Sequence, residues 1–294
     1  MPELPEVETI ARQLNKKLHG KTISSVTLSH SGREFPSGKK FISSITGKTV
    51  KSITRRAKLL IWNFTDGTAL IAHLKMTGRF VIADKNFKPT KHDRAIFIFK
   101  SPLTTSDPPA TQAKRSEALQ AGSRHTTLIW SDIRKFGFVK YVQPLELKSI
   151  LACYGPEPLE SEIQHLADRL KAPKKTRKVK AALLDQKVIA GIGNIYADEA
   201  LHRAKLRPTR RLASLTAADR LRLAREIQTV LRESLDQGGT SANDYVDANG
   251  AKGRFLSFLR VYGRTGEKCR ACGTFIKRIV VVQRGTHYCP TCQK

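Results

Sequence analysis

Gly191-Ile192-Gly193-Asn194-Ile195-Tyr196 is the stretch on which two architectures part. Read as a dinucleotide-binding fingerprint, it opens a βαβ unit and makes the chain a doubly wound α/β protein. But Tyr196 stands where that fingerprint needs its third glycine, and no βαβ pattern surrounds it. The stretch reads instead as a glycine-rich turn feeding a helix over 195–203. Such a turn aims backbone N–H groups at the positive end of a helix, which suits phosphate, and Lys187 lies just upstream. On this motif alone an ordinary helix–helix connection is an equally good reading.

Downstream, residues 217–236 carry the clearest helical stripe: Leu221, Ala224, Ile227, Leu231 and Leu235, started by Thr216 and Asp219 and stopped by Gly238-Gly239. Upstream, residues 143–160 read as a linker, with Pro144, Gly155, Pro156 and Pro158. The segment 171–180 has six basic residues and no acid, a solvated or phosphate-facing run. From 22 to 142 the pattern is β, with strands expected at 23–28, 49–54, 59–64, 69–74, 79–83, 95–99, 126–130 and 138–142. Asp66-Gly67 marks a hairpin. Residues 101–125 hold Pro102, Pro108 and Pro109 without periodicity and read as a long surface loop. A helix over 5–19 leads the chain, with Val7, Ile10, Ala11, Leu14 and Leu18 at helical spacing and Pro5 suited to its first position. The expected class is α+β: an N-terminal β-sandwich or flattened barrel with a leading helix, followed by a helical domain.

Four of the five cysteines fall near the C-terminal end as Cys269-x2-Cys272 and Cys289-x2-Cys292. Two such turns close a four-sulfur shell around one tetrahedral ion, so the module reads as a zinc ribbon with a structural Zn2+. Two disulfides are the alternative, but nothing else suggests an oxidising compartment. His287 lies between the pairs, and Arg284 at the expected turn between the two strands. Cys153 stands alone in an apolar stretch and reads as a buried small hydrophobe.

Charge restricts the partner. The chain of 294 residues carries 53 Lys+Arg against 25 Asp+Glu, a net +28. An excess of that size is self-repelling unless a polyanion is bound; nucleic acid is the first reading and an anionic membrane surface the second. The 40% apolar content builds real cores and excludes wholesale disorder. No apolar run is long enough for a transmembrane helix, and the first residues do not form a secretory signal.

Pro2 is the second unusual feature. Methionine before proline is commonly removed, which leaves a secondary amine. An α-amino group titrates at about 7.7–8.0, and the positive end of the following helix favours its neutral form. A neutral amine forms a Schiff base with a sugar carbon, and Glu3 beside it is placed to act as acid or base. Taken alone, Pro2 more often simply starts a chain.

The opening Met1-Pro2-Glu3-Leu4-Pro5-Glu6-Val7-Glu8-Thr9 resembles the bacterial formamidopyrimidine-DNA glycosylase family. So do Arg55-Arg56-Ala57-Lys58, His73-Leu74-Lys75-Met76-Thr77-Gly78, Asp132-Ile133-Arg134-Lys135-Phe136-Gly137 and Tyr154-Gly155-Pro156-Glu157-Pro158-Leu159. The Gly191-to-Ala197 turn, Gln237-Gly238-Gly239-Thr240, Val261-Tyr262-Gly263-Arg264 and the four-cysteine ribbon complete a collinear match over nearly the whole chain.

The resemblance implies a catalytic β-sandwich over 1–142, a linker over 143–160, a helix–two-turn–helix domain over 161–260 and the ribbon over 261–294. It implies a monomer of the bacterial cytoplasm and nucleoid that acts on damaged double-stranded DNA, not on membranes. No redox or nucleotide cofactor is expected. The implied activity is excision of oxidised purines, 8-oxoguanine and formamidopyrimidines, followed by β,δ-elimination at the abasic site. Pro2 is the implied nucleophile, Glu3 the group assisting at the sugar oxygen and Lys58 a catalytic lysine near sugar and phosphate. Glu6 is implied in the lesion pocket. Met76, Arg134 and Phe136 resemble the trio that fills the vacated base stack. Lys187, Asn194 and Arg284 resemble phosphate contacts.

The chain departs from the family pattern at three places. The loop over 101–125, with Lys114, Arg115 and Arg124, is an insertion. Lys75 replaces the usual glycine. The stretch 240–255, which resembles the loop closing over the flipped base, has Ala242, Lys252 and Arg254 where leucine, proline and tyrosine are more typical. Leu4 argues for the purine branch over the related branch that prefers oxidised pyrimidines.

Overall fold

The computed structural model describes residues 1–29, 38–83, 87–101, 125–171, 176–242 and 244–294. The expected loop over 101–125, apart from its two end residues, and part of the basic run over 171–180 lie outside the described residues, Lys114, Arg115 and Arg124 among them.

Helix α1 (Leu4–Leu18) leads into β1 (Thr22–Leu28), α2 (Gly38–Ile45), β2 (Val50–Arg56), β3 (Leu59–Phe64), β4 (Ala69–His73), β5 (Gly78–Ile82), β6 (Asp93–Lys100), β7 (His125–Asp132) and β8 (Phe138–Val142). The strands form two antiparallel four-stranded sheets, β1-β6-β7-β5 and β2-β3-β4-β8. Their facing sides bury Trp62, Phe80, Phe97, Phe99 and Trp130, with Phe80 between the two indoles at centroid distances of 5.5 and 4.7 Å. Val7, Ile10, Leu14 and Leu18 add the apolar stripe of α1 to the same core.

The eight expected strands are all present, their ends moved by up to two residues. Two helices differ from the sequence reading. The first is α2, which buries Phe41 and Ile45 and was not expected. The second is α3 (Pro144–Ala152), inside the stretch read as a linker. Pro144 marks its first turn, where the missing N–H costs nothing, so proline here starts an element instead of breaking one. Leu147, Ile150 and Leu151 of α3 cover Leu59, Ile61 and Ile71 on the outer face of the second sheet. That cover explains why β3 is apolar on both faces. Cys153 caps α3 and is exposed, contrary to the buried reading, because α3 only lies on the sheet and has no fully buried residue of its own.

The second half contains α4 (Ile163–Arg169), α5 (Val179–Leu184), α6 (Asn194–Arg203) and α7 (Ala217–Asp236), then the ribbon strands β9 (Lys277–Val281) and β10 (Arg284–Tyr288). The two turns between α5 and α6 make the helix–two-turn–helix element. The reciprocal capping box of α7 is formed: Thr216 Oγ1 accepts from Asp219 N at 3.1 Å, and Asp219 Oδ2 from Thr216 N at 3.2 Å. In the ribbon the turn falls at Val282 and Gln283, both at positive φ (51° and 56°), and Arg284 pairs with Val281. Arg284 therefore opens a strand and does not sit in the turn. The glycine that suggested a turn there lies in the strand, close to the exposed Arg278 guanidinium: a Cβ on Gly285 would lie 2.7 Å from Nη2, a side-chain end free to yield.

The two halves meet along α1. Val7 onward faces the sandwich core, whereas Leu4 is buried in the core of the helical half with Ile192, Ile195 and Tyr196. Tyr245 and Ala248, from the stretch after α7, return to the sandwich core, where Ala248 O accepts from Ile82 N at 2.8 Å. Among the described residues no helix is long and apolar enough to cross a membrane.

Candidate active site

A cavity of ≈ 230 Å³ opens where these two halves meet. Pro2, Glu3, Lys58, Met76, Asn194 and Arg284 line it, together with Met1, Thr240, Asp244, Tyr245 and Tyr262. Six of the ten non-cysteine residues expected at the site thus share one concavity, although they come from the segment before α1, the β2–β3 hairpin, the β4–β5 crossing between sheets, α6 and the ribbon.

Glu3 fixes the floor. Its carboxylate sits at the N-terminal end of α6, with Oε2 accepting from Gly193 N (2.7 Å) and Oε1 from Ile195 N (2.9 Å). Backbone amides at a positive helix end suit an anion. The expected phosphate cradle of the glycine turn is therefore filled by a carboxylate from the other end of the chain. Its glycines are explained by that approach: a Cβ on Gly193 would lie 2.3 Å from Glu3 Cδ, and one on Gly191, at φ +81°, 2.6 Å from Leu4 Cδ1.

Glu6 lies behind the cavity wall and is buried. One oxygen accepts from Glu3 N at 2.8 Å; the other accepts from Thr240 N at 2.8 Å and from Tyr196 Oη at 2.5 Å. Burial, with the nearby Glu3 charge, pushes its carboxyl up to about 7. Tyr196 Oη also meets Ser234 and Thr240, at 2.6 and 2.9 Å. The residue that spoiled the dinucleotide fingerprint is thus the hydrogen-bond hub behind the cavity wall. Lys58, at the β2–β3 turn, is buried and makes no side-chain hydrogen bond among the described residues. Desolvation holds its ammonium below the usual lysine range, against the pull of Glu3 and Glu6.

Arg134 and Phe136 sit outside the cavity on an exposed loop, Phe136 being 54% exposed with the Arg134 guanidinium 4.8 Å above its ring. Buried Asp132 braces that loop by accepting from Gly137 N at 2.7 Å and from Thr77 Oγ1 at 2.5 Å. Thr77 follows Met76, so the two turns carrying the trio are tied together. Lys187 is exposed and does not line the cavity. Asn194 Nδ2 donates to Gly285 O at 2.9 Å, docking α6 onto the ribbon beside Arg284. Sequence reasoning gave no role to Glu157, Tyr196 or Asp132. Each is a buried polar group; the side chains of Glu157 and Tyr196 bond residues far along the chain, and Asp132 joins nearby Gly137 to distant Thr77. The one available signal was an acid between two prolines in a chain poor in acids, Pro156-Glu157-Pro158.

The four cysteine sulfurs lie within 4.8 Å of one another, with pairs at 3.4 and 3.9 Å. A tetrahedral shell with Zn–S of about 2.3 Å needs S···S near about 3.8 Å, so the set fits one structural zinc ion with no open position. His287 is not among them; its backbone N donates to Asp198 at 2.8 Å. His202 was not anticipated here, and its Nε2 lies 3.6 Å from Cys269 Sγ.

Three family models match the chain in order. They are the formamidopyrimidine-DNA glycosylase N-terminal domain over residues 1–139, the formamidopyrimidine-DNA glycosylase H2TH domain over 154–246, and the zinc finger found in FPG and IleRS over 266–294. The chain belongs to the formamidopyrimidine-DNA glycosylase family, DNA glycosylases of base excision repair. It is 41% identical over 298 residues to the formamidopyrimidine-DNA glycosylase of Desulfitobacterium hafniense, with 100% of each chain covered. Among solved structures it resembles a Lactococcus lactis FPG mutant in complex with a Fapy-dG containing DNA (TM-score 0.85, 33% identity, 100% of each chain). It also resembles the wild-type Lactococcus lactis enzyme in complex with an oxidised pyrimidine containing DNA (TM-score 0.83, 33% identity, 100% of each chain).

Proposed function

We propose that the chain is a bifunctional DNA glycosylase/AP lyase that excises oxidised purines from duplex DNA and cleaves the strand at the site. The carrying observation is the convergence of Pro2, Glu3 and Lys58 on one cavity walled by the buried carboxyl of Glu6. Removal of Met1 frees the Pro2 amine. The damaged nucleotide is flipped into the cavity. The Pro2 nitrogen attacks C1′, and the base departs with the electrons of the glycosidic bond. The amine loses its proton, Glu3 assists by protonating the sugar oxygen, and the C1′–O4′ bond breaks to open the ring. The resulting iminium acidifies the C2′ proton, so loss of that proton expels the 3′ phosphate, and a second elimination expels the 5′ phosphate. Lys58 acts beside the sugar and phosphate. Met76 and Phe136 fill the vacated stack, and Arg134 meets the orphaned base. Arg284, Asn194 and Lys187 hold the phosphate backbone, with zinc keeping the ribbon that carries Arg284 folded.

Domain limits of 1–142, 161–260 and 261–294 accord with this division of labour, with α3 in the connecting segment. Leu4 supports the purine preference. The oxidised-pyrimidine complex of the Lactococcus enzyme makes the lesion range a direct question.

Incubation with duplexes holding 8-oxoguanine, an oxidised pyrimidine or no lesion, followed by borohydride, tests the reading. A covalent adduct on the purine lesion, lost in Pro2→Gly, is expected, and mass spectrometry of the reactive form should show Met1 absent. Tight binding without any adduct would sink the enzyme reading, leaving a zinc-ribbon DNA-binding protein. Equal trapping on the pyrimidine lesion would remove the purine preference alone.

A further inference from the structure

We propose that Glu157 is the positioning residue for Lys58. Three consecutive residues that precede Lys58 all donate to this one carboxylate. Arg55 Nη1 reaches Oε2 at 2.5 Å, while Arg56 Nη1 and Ala57 N reach Oε1 at 2.6 Å each. Arg56 Nη2 also donates to Gly155 O at 2.6 Å and Tyr154 O at 3.0 Å, and Arg55 Nε to Glu8 at 2.8 Å.

The backbone shows why such a brace is needed. Arg56 pairs with Leu59, so Ala57 and Lys58 alone make the β2–β3 turn. Ala57 sits at φ +53°, a left-handed conformation that alanine holds only under constraint. The Glu157 bond to Ala57 N supplies that constraint. The Lys58 side chain makes no hydrogen bond of its own among the described residues, so its position is inherited from this turn.

The segment bearing Glu157 is itself stitched to the connection between α5 and α6. Gly155 N donates to Gln186 O at 2.8 Å, and Ala190 N to Pro156 O at 3.0 Å. The same connection holds Glu3 through Gly193 N. Lys58 and the Pro2–Glu3 pair therefore take their places from one element, which sets their mutual distance.

The proposal rests on the reading of Lys58 as a group that acts at the lesion, but its first test does not need activity. Amine labelling of the full chain, read at each lysine by mass spectrometry, compares Lys58, which lines the cavity, with Lys180, which is fully buried and paired with Asp198 at 2.6 Å. In Glu157→Ala, Lys58 should label at least fivefold faster with Lys180 unchanged. Glu157→Gln, which keeps an acceptor for Ala57 N, should fall between the two. Unchanged labelling at Lys58, or a joint rise at Lys58 and Lys180, overturns the proposal.

A second test is a double-mutant cycle on single-turnover strand cleavage. Glu157→Ala should slow cleavage at least tenfold in the wild-type background and less than twofold in Lys58→Ala. Equal losses in both backgrounds overturn it as a general effect on the fold. A wild-type chain that neither traps nor cleaves sinks the glycosylase reading, and the labelling result then decides the latch alone.

Discussion

Glu3 and Gly193, 190 residues apart, are in direct contact: the Glu3 carboxylate accepts from Gly193 N at 2.7 Å, where α6 begins. This contact makes the site a product of the interface between the halves. Glu3 is anchored in the helical half, while Lys58, which lines the same cavity, belongs to the sandwich. The placement of both depends on how the halves are joined.

Gly193→Ala tests that contact by sterics alone. The backbone there, at φ −127° and ψ −155°, is extended, so alanine meets no backbone strain. Its Cβ would nevertheless lie 2.3 Å from Glu3 Cδ, and the carboxylate must move. Overpacking of this kind costs about 1–3 kcal/mol. A lower urea midpoint and weaker borohydride trapping are expected. A variant with wild-type midpoint and trapping would show that Glu3 is not held at α6.

The buried Glu6 gives stability a pH dependence. Its carboxyl rises from 4.5 to about 7 on folding, so the folded chain binds the extra proton. Stability from this group is complete below pH 4.5, falls as pH rises through the folded value, and is level above it. The span corresponds to about 3 kcal/mol at about 1.4 kcal/mol per unit. Glu6→Gln carries no titrating proton, so the stability of wild type relative to the variant should decline by that amount between pH 4.5 and 7. Urea unfolding of both proteins across pH 4.5–8 measures it. Parallel curves would mean that Glu6 ionises as freely when folded as when unfolded.

What could be read from the residues depended on the range of the signal. Helix α7 matches its expected limits because stripe, capping box and Gly238-Gly239 are all local. The strands of the sandwich matched for the same reason. Helix α3 was hidden because Pro144 reads as a breaker unless the register of the helix is known, and α2 because eight residues hold barely two turns. Arg284 was misplaced because glycine marks both turns and close approaches. The expected site residues lining the cavity were legible only through ordered motifs. Glu157 and Tyr196 were given no role because their side chains act on partners 38 to 190 residues away, and Asp132 because its tie to Thr77 spans 55, hydrogen bonds that spacing does not encode.

Zinc removal should separate the modules. The buried apolar residues of the ribbon are Val261, Ile276, Val281 and Tyr288 with Cys269 and Cys289, too few to hold a fold without the ion. The chain has two tryptophans, Trp62 and Trp130, and both lie in the sandwich core, so their emission reports on that half. Chelation should leave the emission unchanged while lesion-duplex binding, read by anisotropy, weakens at least tenfold. A loss of tryptophan signal in step with zinc release would contradict the separation.

Phe136 offers a variant that spares the fold. Its ring is 54% exposed and contacts the Arg134 guanidinium, while the loop beneath it is braced by Asp132. Phe136→Ala removes no buried contact, so thermal stability should stay within about 0.5 kcal/mol of wild type. An aromatic ring packed against bases contributes about 1–3 kcal/mol, so single-turnover excision or lesion-duplex affinity should fall about tenfold or more. Asp132→Ala is the contrasting variant: it strips acceptors from Thr77 and Gly137 and should lower stability and excision together. If Phe136→Ala excises at the wild-type rate with wild-type affinity, the ring is not the wedge, and the exposed Ile133 on the same loop becomes the residue to test.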